Sequence, residues 1–390
     1  MMKNSSSGVL FLLSITVGVA MMGLGIIWPL VPVYAVELGA GGFLVGVIIA
    51  SFNVSRALFS SFTGGISDRW GRKIFIVFGL FIYAIISIFY IFPESAETLI
   101  IIRLFHGLAS LFVVPIAMAL AADIAPARKL GVYMGTLNMA AMVGLGFGPA
   151  AGGIIRDYFG INAAFYSMGA LAFLTCLLVM IFIPPDDRYY GNTKKNKPYS
   201  VKKILSNKTI LGIFIMRFFM ASGQGAVYTF LPILAIQLFL SSTQVGIILT
   251  MNIFFIAFLQ RPCGRLADRI NPKYLVITGT FASGVTVFGM PFVDGFILIL
   301  LLNILMGIAN GISSPGGLVI TGRLGRTMGM ASIMSLNDAA WSMGMIVSPI
   351  LSGIILDTFG LSYVFIIGSL LILMGGIIVT IFLWRYDHKS

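Results

Sequence analysis

Charge is scarce in this sequence, and that scarcity excludes most classes of protein. Only 10% of the 390 residues are Asp, Glu, Lys or Arg, whereas 58% are hydrophobic. A soluble domain usually has about 25% charged residues, so this chain has too little polar surface to cover a water-soluble globule. The composition therefore excludes a soluble enzyme and a disordered protein, and it predicts a polytopic membrane protein.

Cysteine and histidine are also rare, with two residues of each. Cys176 and Cys263 belong to no Cys-x-x-Cys motif or Cys/His cluster, so the sequence predicts neither a disulfide scaffold nor a metal site. It also has no phosphate-binding P-loop and no catalytic constellation. We therefore expect no cofactor, no bound metal, no catalytic residues and no enzymatic activity.

The chain is rich in long apolar runs. Twelve of them are long enough to cross a bilayer, which takes about 20 residues per helix, and only helices satisfy their own backbone at this length. The predicted spans are residues 9–35, 43–65, 74–92, 96–121, 130–155, 161–183, 209–237, 243–265, 273–291, 294–320, 329–355 and 361–384. The fold class predicted is an all-α membrane protein.

One polar stretch divides the twelve spans into six and six. Residues 184–208 open with Pro184 and Pro185 and carry six lysines. The predicted domains are therefore an N-terminal six-helix bundle at 1–183, a cytoplasmic linker at 184–208, and a C-terminal six-helix bundle at 209–390.

The net charge of +12 first suggests a nucleic-acid partner, but the basic residues occupy one side of the predicted topology. Only Arg156 lies at the opposite ends of the spans. The one-sided residues are Lys3, Arg69, Arg72, Lys73, Arg128, Lys129, the linker lysines, Arg265, Arg269, Lys273, Arg323, Arg326, Arg385 and Lys389. This positive-inside bias predicts a cell (inner) membrane protein with both termini in the cytoplasm and no nucleic-acid partner.

The two halves match at an offset of 200 residues. Glycines, prolines and acids recur in order, and the matched pairs include Gly46 with Gly246, Asp68 with Asp268, Pro149 with Pro349, Gly153 with Gly353, and Asp157 with Asp357. Parallel repeats of this kind are typical of transporters, and they predict two pseudo-symmetric bundles related by an axis along the membrane normal.

The loop between the second and third spans carries the sequence Gly-Gly-Ile-Ser-Asp-Arg-Trp-Gly-Arg-Lys, residues 64–73. It resembles the G-x-x-x-D-R-x-G-R-K signature of the major facilitator superfamily, and that resemblance covers the whole chain. It implies a gating role for Gly64, Asp68, Arg69, Gly71, Arg72 and Lys73. In the family pattern Asp68 faces the positive N-terminus of the eleventh helix, and Arg72 pairs with Asp123.

The fifth span carries a second motif, which points to one family within the superfamily. Its pattern of Gly135, Gly144, Gly148, Pro149, Gly152 and Gly153 resembles the antiporter motif of the drug:proton antiporter (multidrug exporter) family. Glycines four residues apart form one stripe that permits close helix packing, and the proline bends the helix. A packing stripe alone would also explain the glycines.

Few charges lie inside the spans, where they are costly and usually face a cavity or a partner. Asp338 is the acid deepest in a span and is the first candidate for proton coupling. Arg103 and His106 resemble the family's fourth-helix motif, with His in place of its Gln, so they are further candidates. Glu37 is another candidate, although it could equally be a solvated acid at the outer end of the first span.

Substrate contacts are predicted from polar and adaptable apolar side chains within the spans. The candidates are Trp28, Met22, Arg56, Asn138, Met142, Arg217, Gln224, Tyr228, Asn252, Phe255, Asn303, Asn337 and Trp341. Arg56 and Arg217 could equally reach the membrane interface or brace the bundle. Amides beside aromatic groups favour amphipathic, uncharged or cationic compounds.

These observations predict a secondary active transporter that works by alternating access, most simply a proton-coupled exporter of small amphipathic drug-like compounds or metabolites. Its partners would be a small-molecule substrate, protons and the lipid bilayer, and the chain would act as a monomer. A specific metabolite importer or uniporter of the same fold is one alternative. A lipid scramblase or a non-transporting membrane receptor is the other.

Overall fold

The computed structural model describes residues 6–126, 129–184, 204–328 and 330–384. Only the backbone is described at residues 6, 61–66, 68–70, 326–328, 330 and 331. Throughout the described residues the chain is helical, without β-strands, and twelve helical segments are long and apolar enough to cross a membrane. The prediction of an all-α membrane fold with twelve spans is confirmed.

The described residues form thirteen α-helices and a short 3₁₀ helix at Met290–Phe292. The α-helices are α1 (Ser6–Ile27), α2 (Leu30–Glu37), α3 (Gly42–Trp70), α4 (Arg72–Phe89), α5 (Ala96–Ile124), α6 (Leu130–Phe159), α7 (Ile161–Phe182), α8 (Lys208–Gln237), α9 (Ser242–Arg269), α10 (Pro272–Gly289), α11 (Phe296–Met328), α12 (Met330–Phe359) and α13 (Leu361–Leu383).

The first span is not the single helix that residues 9–35 predict. A turn at Trp28 and Pro29 separates α1 from α2. Pro29 has no N–H to donate to the preceding turn, so the helical hydrogen bonding is interrupted there. The apolar run continues through this break, which is why hydropathy alone does not reveal it.

Several helices also extend beyond the apolar runs that predict them. The second predicted span ended at residue 65, but α3 continues to Trp70, and α11 continues to Met328 rather than residue 320. Hydropathy marks the part of a helix that lies in hydrocarbon, whereas backbone hydrogen bonds continue the helix into the polar region. Gly71, with φ of +99°, separates α3 from α4 in a conformation that favours glycine.

The contacts divide the chain into two compact units. The first unit comprises Met1–Ala40, Ser51–Lys194 and Ser241–Thr250, and the second comprises Gly41–Ala50, Lys195–Leu240 and Met251–Ser390. In the first, α1 packs against α6 and α4 packs against α5 and α7. In the second, α8 packs against α12 and α13, and α10 packs against α11. The predicted linker lies mostly at 185–203, outside the described residues.

Candidate functional site

The glycine stripe of α6 brings that helix into backbone contact with α1. A Cβ atom on Gly144 would stand 2.0 Å from the carbonyl oxygen of Gly18, and one on Gly148 would stand 2.6 Å from the Cα of Gly25. A Cβ on Gly152 would likewise meet the α1 backbone. No side chain fits at these three positions without separating the helices, so the stripe fixes how α1 and α6 pack.

The ends of the glycine motif behave differently from its centre. Gly135 is exposed, and a Cβ there would meet nothing within 4 Å. Gly153 faces the start of α9 in the same unit, where a Cβ would stand 2.2 Å from the carbonyl oxygen of Ser242. The motif therefore makes two contacts, one with α1 and one with α9.

The second unit repeats this arrangement with small residues in place of some glycines. A Cβ on Gly344 of α12 would stand 2.6 Å from the carbonyl oxygen of Phe218 in α8. One turn further, the Ser348 hydroxyl donates a hydrogen bond to the carbonyl of Ser222. The repeat of 200 residues in sequence thus corresponds to a repeat in helix contacts.

Two aspartates at the same repeat position cap helix N-termini. Asp157, at the end of α6, accepts hydrogen bonds from the backbone N–H groups of Ser242 (3.1 Å) and Thr243 (2.7 Å) at the start of α9. Asp357, at the end of α12, accepts from Gly42 and Phe43 at the start of α3, both at 2.7 Å. A carboxylate at this position accepts hydrogen bonds from backbone N–H groups that have no partner within the helix. Its negative charge also interacts favourably with the positive end of the helix dipole.

The signature loop places one ion pair in the described part of the chain. Arg72, in the first turn of α4, donates from its Nε to the carboxylate of Asp123 in α5, which is the pairing that the resemblance implied. Nζ of Lys73 donates to the carbonyl of Met180, 2.9 Å away. The side chains of Asp68 and Arg69 and the environment of Gly64 lie outside the described residues. The gating role of this loop stays a prediction.

His106 lies at the centre of a fully buried aromatic cluster in the first unit. Its Nδ1 is 3.0 Å from the hydroxyl of Tyr90, and the rings of Phe52 and Tyr83 pack edge-on against the imidazole at centroid distances of 5.2 and 4.5 Å. The sequence prediction named His106 but missed these three aromatic partners. Among 32 phenylalanines and 13 tyrosines, nothing in the sequence distinguishes them.

Two arginines accompany this cluster. The Cζ atoms of Arg103 and Arg56 lie 4.7 and 5.6 Å from the ring centroid of Phe52. Arg103 is only 3% exposed, and within the described residues its Nε and Nη1 have no hydrogen-bond partner. Beside Arg56 lies an open hollow, lined by Ala20, Met21, Leu24, Phe52, Arg56, Tyr83, Ser110, Val113 and Val114.

In the second unit, Arg217 and Asp338 are electrostatic partners. The Cζ atom of Arg217 lies 4.5 Å from the ring of Trp341, and its charge attracts the carboxylate of Asp338. Asn337 is buried and lines a small open hollow together with Arg217. Asp338 is exposed, so it lies on a face of α12 that its own unit leaves open.

Three predicted substrate contacts form a buried network with one another instead. The Tyr228 hydroxyl donates to Oδ1 of Asn252 at 3.0 Å, and Nδ2 of Asn252 donates to the carbonyl of Asn303 at 2.8 Å. Asn303 in turn donates to the carbonyl of Ile299. Since Asn252 and Asn303 are 0% exposed, these bonds join α8, α9 and α11 rather than face a cavity.

The other predicted contact residues are dispersed over the two units. In the first unit Met22, Trp28 and Met142 are half-buried and Asn138 is exposed on α6. In the second unit Gln224 is buried and Phe255 is half-buried. The described residues therefore form no single cluster from the predicted set. Arg56 and Arg217 are the two charged members of the set, and each is half-buried beside a hollow.

Glu37, the remaining candidate for proton coupling, forms an ion pair. Its carboxylate accepts a hydrogen bond from Nη2 of Arg156, and Glu37 itself is exposed at the end of α2. The pair joins α2 to α6 within the first unit. Sequence reasoning noted Arg156 as the one cation on the acidic side, but the residues are 119 positions apart and their pairing was missed.

Comparison with known proteins agrees with this architecture. A family model described as Major Facilitator Superfamily matches residues 13–239 and 213–390. An uncharacterized MFS-type transporter of Methanocaldococcus jannaschii is 29% identical over 376 residues, covering 94% of this chain and 96% of its own. Multidrug resistance protein 2 of Bacillus subtilis is 24% identical over 382 residues, with 95% and 94% covered.

Among solved structures, a bacterial homologue of the human lysosomal transporter Spinster, in an inward-facing and occupied conformation, superposes with a TM-score of 0.86. It shares 13% sequence identity, with 98% of this chain and 97% of the other covered, and at that identity the similarity shows the fold. The family model covers almost the whole chain, and this family consists of transporters rather than enzymes. The chain therefore belongs to the Major Facilitator Superfamily and is a multi-pass membrane transporter of small molecules.

Proposed function

We propose that this transporter is a proton-coupled exporter of small amphipathic drug-like compounds or metabolites. The packing of α6 on α1 carries the proposal, because Gly144, Gly148 and Gly152 of the antiporter motif stand where a Cβ atom would meet the α1 backbone. A relative over nearly the full length is a multidrug resistance protein, which supports export as the direction.

Asp338 is the residue proposed to carry the proton. It is an acid within a membrane span, exposed on its helix and attracted by Arg217. An acid in this setting can exchange a proton with water, and its bond to a neighbouring cation depends on whether it is charged. Arg103, His106 and Glu37 are weaker candidates, because the first two are buried and Glu37 already pairs with Arg156.

The test is transport in proteoliposomes with an imposed pH gradient and a panel of amphipathic cations, neutral compounds and acids. We expect gradient-driven movement of several compounds by the intact protein. Asp338→Asn should abolish the dependence on the gradient while substrate binding persists. Asp294→Asn is the matched control, because Asp294 is an exposed acid between spans.

Two outcomes would contradict the proposal. If no compound moves in response to the gradient, the chain is not a proton-coupled exporter. If the Asn variant at position 338 keeps the wild-type dependence on pH, another group carries the proton. Selective uptake of one polar solute would favour an importer, and binding without net flux would favour a receptor.

The topology and gate form part of the same proposal. Both termini would lie in the cytoplasm of a cell-membrane protein acting as a monomer, with bundles at 1–183 and 209–390 joined by the linker 184–208. The ion pair of Arg72 with Asp123 would stabilise one conformational state of the transporter. Labelling of single cysteines added at each terminus by an impermeant reagent tests the orientation, and labelling from outside intact cells would contradict it.

A further inference from the structure

The first unit contains two arginines that have no acidic partner among the described side chains. Arg56 and Arg103 lie over the same ring, that of Phe52, and both charges act on the imidazole of His106. Nε and Nη1 of Arg103 are buried and, among the described residues, donate to no hydrogen-bond partner. Two cationic side chains therefore lie against the same aromatic ring inside the spans.

The acids of this unit lie elsewhere. In the described part, Glu37 pairs with Arg156, Asp123 pairs with Arg72, Asp157 caps α9, and Glu94 and Glu97 are exposed around the start of α5. Asp68 is on the same helix as Arg56 but twelve residues further on, which is about 18 Å along the axis. Among the described side chains, no carboxylate of this unit pairs with either arginine.

A cation inside a membrane protein normally faces a counter-ion or a water-filled cavity. The face of Phe52 attracts the guanidinium groups, but an aromatic ring carries no net charge and offsets only part of the cost of desolvation. The hollow next to Arg56 is lined mostly by apolar side chains, including Leu24, Val113 and Val114. It is thus an apolar cavity with a positive charge at its wall.

We propose that Arg56 and Arg103 bind the acidic head group, most simply a carboxylate, of an amphipathic substrate whose apolar part occupies this hollow. The inference rests on the proposed export function and specifies its substrate class. Guanidinium groups present paired N–H donors that match a carboxylate, and a buried arginine with unpartnered donors is preorganised for such a ligand. Two positive charges would repel the cationic compounds that the amides of the sequence suggested.

The test compares three probes that share one ring system and differ in charge: 1-naphthylacetate, 1-naphthylacetamide and 1-naphthylmethylamine. Binding to the full chain in phosphatidylcholine nanodiscs is measured by equilibrium dialysis, with empty nanodiscs as the blank. We expect the carboxylate to bind at least tenfold more tightly than the amide, and the amine to bind more weakly than both.

Variants then locate the site. Arg56→Gln and Arg103→Gln should each weaken carboxylate binding at least tenfold and leave amide binding within about twofold, which also shows that the variants fold. Arg103→Lys should recover only part of the affinity, because it keeps the charge and loses the paired donors. Arg261→Gln is the matched control, since Arg261 is exposed on α9 and should leave all three affinities unchanged.

Equal affinities for the carboxylate and amide in the intact protein would overturn the proposal, as would variants that weaken both probes alike. An anionic lipid head group offers the same chemistry, so binding is repeated in phosphatidylglycerol nanodiscs. Loss of carboxylate binding there would assign the arginines to lipid and refute the substrate role. Binding is measured without a gradient, so failure of proton-driven transport would leave this result standing. Gradient-driven export of amines alone would refute only this inference.

Discussion

The paired aspartate caps make a quantitative prediction about local stability. Asp357→Ala removes the acceptor for the N–H groups of Gly42 and Phe43 at the start of α3, and Asp157→Ala does the same at the start of α9. Loss of a cap costs about 1 kcal/mol, and loss of a charge at the helix dipole adds about 0.3–1 kcal/mol. Because both caps are solvent-accessible, we expect each substitution to lower the free energy of opening the first helical turn by about 1–2 kcal/mol.

Hydrogen exchange followed by mass spectrometry measures this cost directly. A local opening that becomes easier by 1–2 kcal/mol should speed amide exchange in the first turn of the affected helix by about 5- to 30-fold. Asp357→Ala should affect α3 and leave the start of α9 unchanged, while Asp157→Ala should do the reverse. Asp357→Asn should have an intermediate effect, because an amide oxygen still accepts a hydrogen bond but carries no charge.

The reasoning would be refuted by unchanged exchange in the first turn of α3 when Asp357 is replaced by Ala. It would also be refuted by equal acceleration in both helices, because that pattern indicates general destabilisation rather than a lost cap. Asp294→Asn serves as the control, since this acid is exposed and 63 residues before Asp357 in the chain.

Two further predictions use pairs of matched substitutions whose thermal stability is compared in detergent. Gly144→Ala should destabilise the folded protein by about 1–3 kcal/mol, because its Cβ would meet the carbonyl of Gly18. Gly135→Ala should be neutral, because a Cβ there lies in open space. Equal effects of the two substitutions would contradict the packing argument. Asn252→Ala should cost about 1–2 kcal/mol by removing two interhelical hydrogen bonds. Asn310→Ala should cost less, because within the described chain the buried amide of Asn310 makes no hydrogen bond, and the reverse order would refute that account.

The sequence alone predicts the fold because apolar runs of about 20 residues have only one stable form in a bilayer. It predicts helix ends poorly, as α3 and α11 show, because a helix does not end where hydrocarbon ends. Proline alone did not predict the break at Pro29, because Pro115, Pro149 and Pro232 lie inside continuous helices.

The sequence identified individual residues of the candidate site, but it did not predict which residues they contact. Intramembrane arginines stand out because charge is rare there, so Arg56, Arg103 and Arg217 were all found. Their aromatic partners were missed, because phenylalanine is also common among the exposed hydrophobic side chains, so Phe52 does not stand out in the sequence. The 200-residue repeat identified Asp157 and Asp357 as equivalent, but only the fold shows which helix N-termini they cap.

The charge of the substrate decides what energy can drive its export. Exchange of one entering proton for one leaving monovalent cation moves no net charge, so the membrane potential contributes nothing. Exchange for a neutral compound moves one charge, worth about 2.3 kcal/mol per 100 mV. Exchange for an anion moves two charges in the favourable direction when the interior is negative, which gives about 4.6 kcal/mol per 100 mV.

A substrate that binds at Arg56 and Arg103 as a carboxylate should therefore be exported with a steep voltage dependence. In proteoliposomes clamped with potassium and valinomycin at 100 mV, negative on the side from which substrate leaves, the limiting concentration ratio of 1-naphthylacetate should rise by about three orders of magnitude for one proton per substrate. The ratio of 1-naphthylacetamide should rise by about half as many orders. Protein-free liposomes give the passive leak of both probes. If the potential affected the two probes equally, the carboxylate would be crossing in its neutral form, and the arginines would not be binding it as an anion during transport.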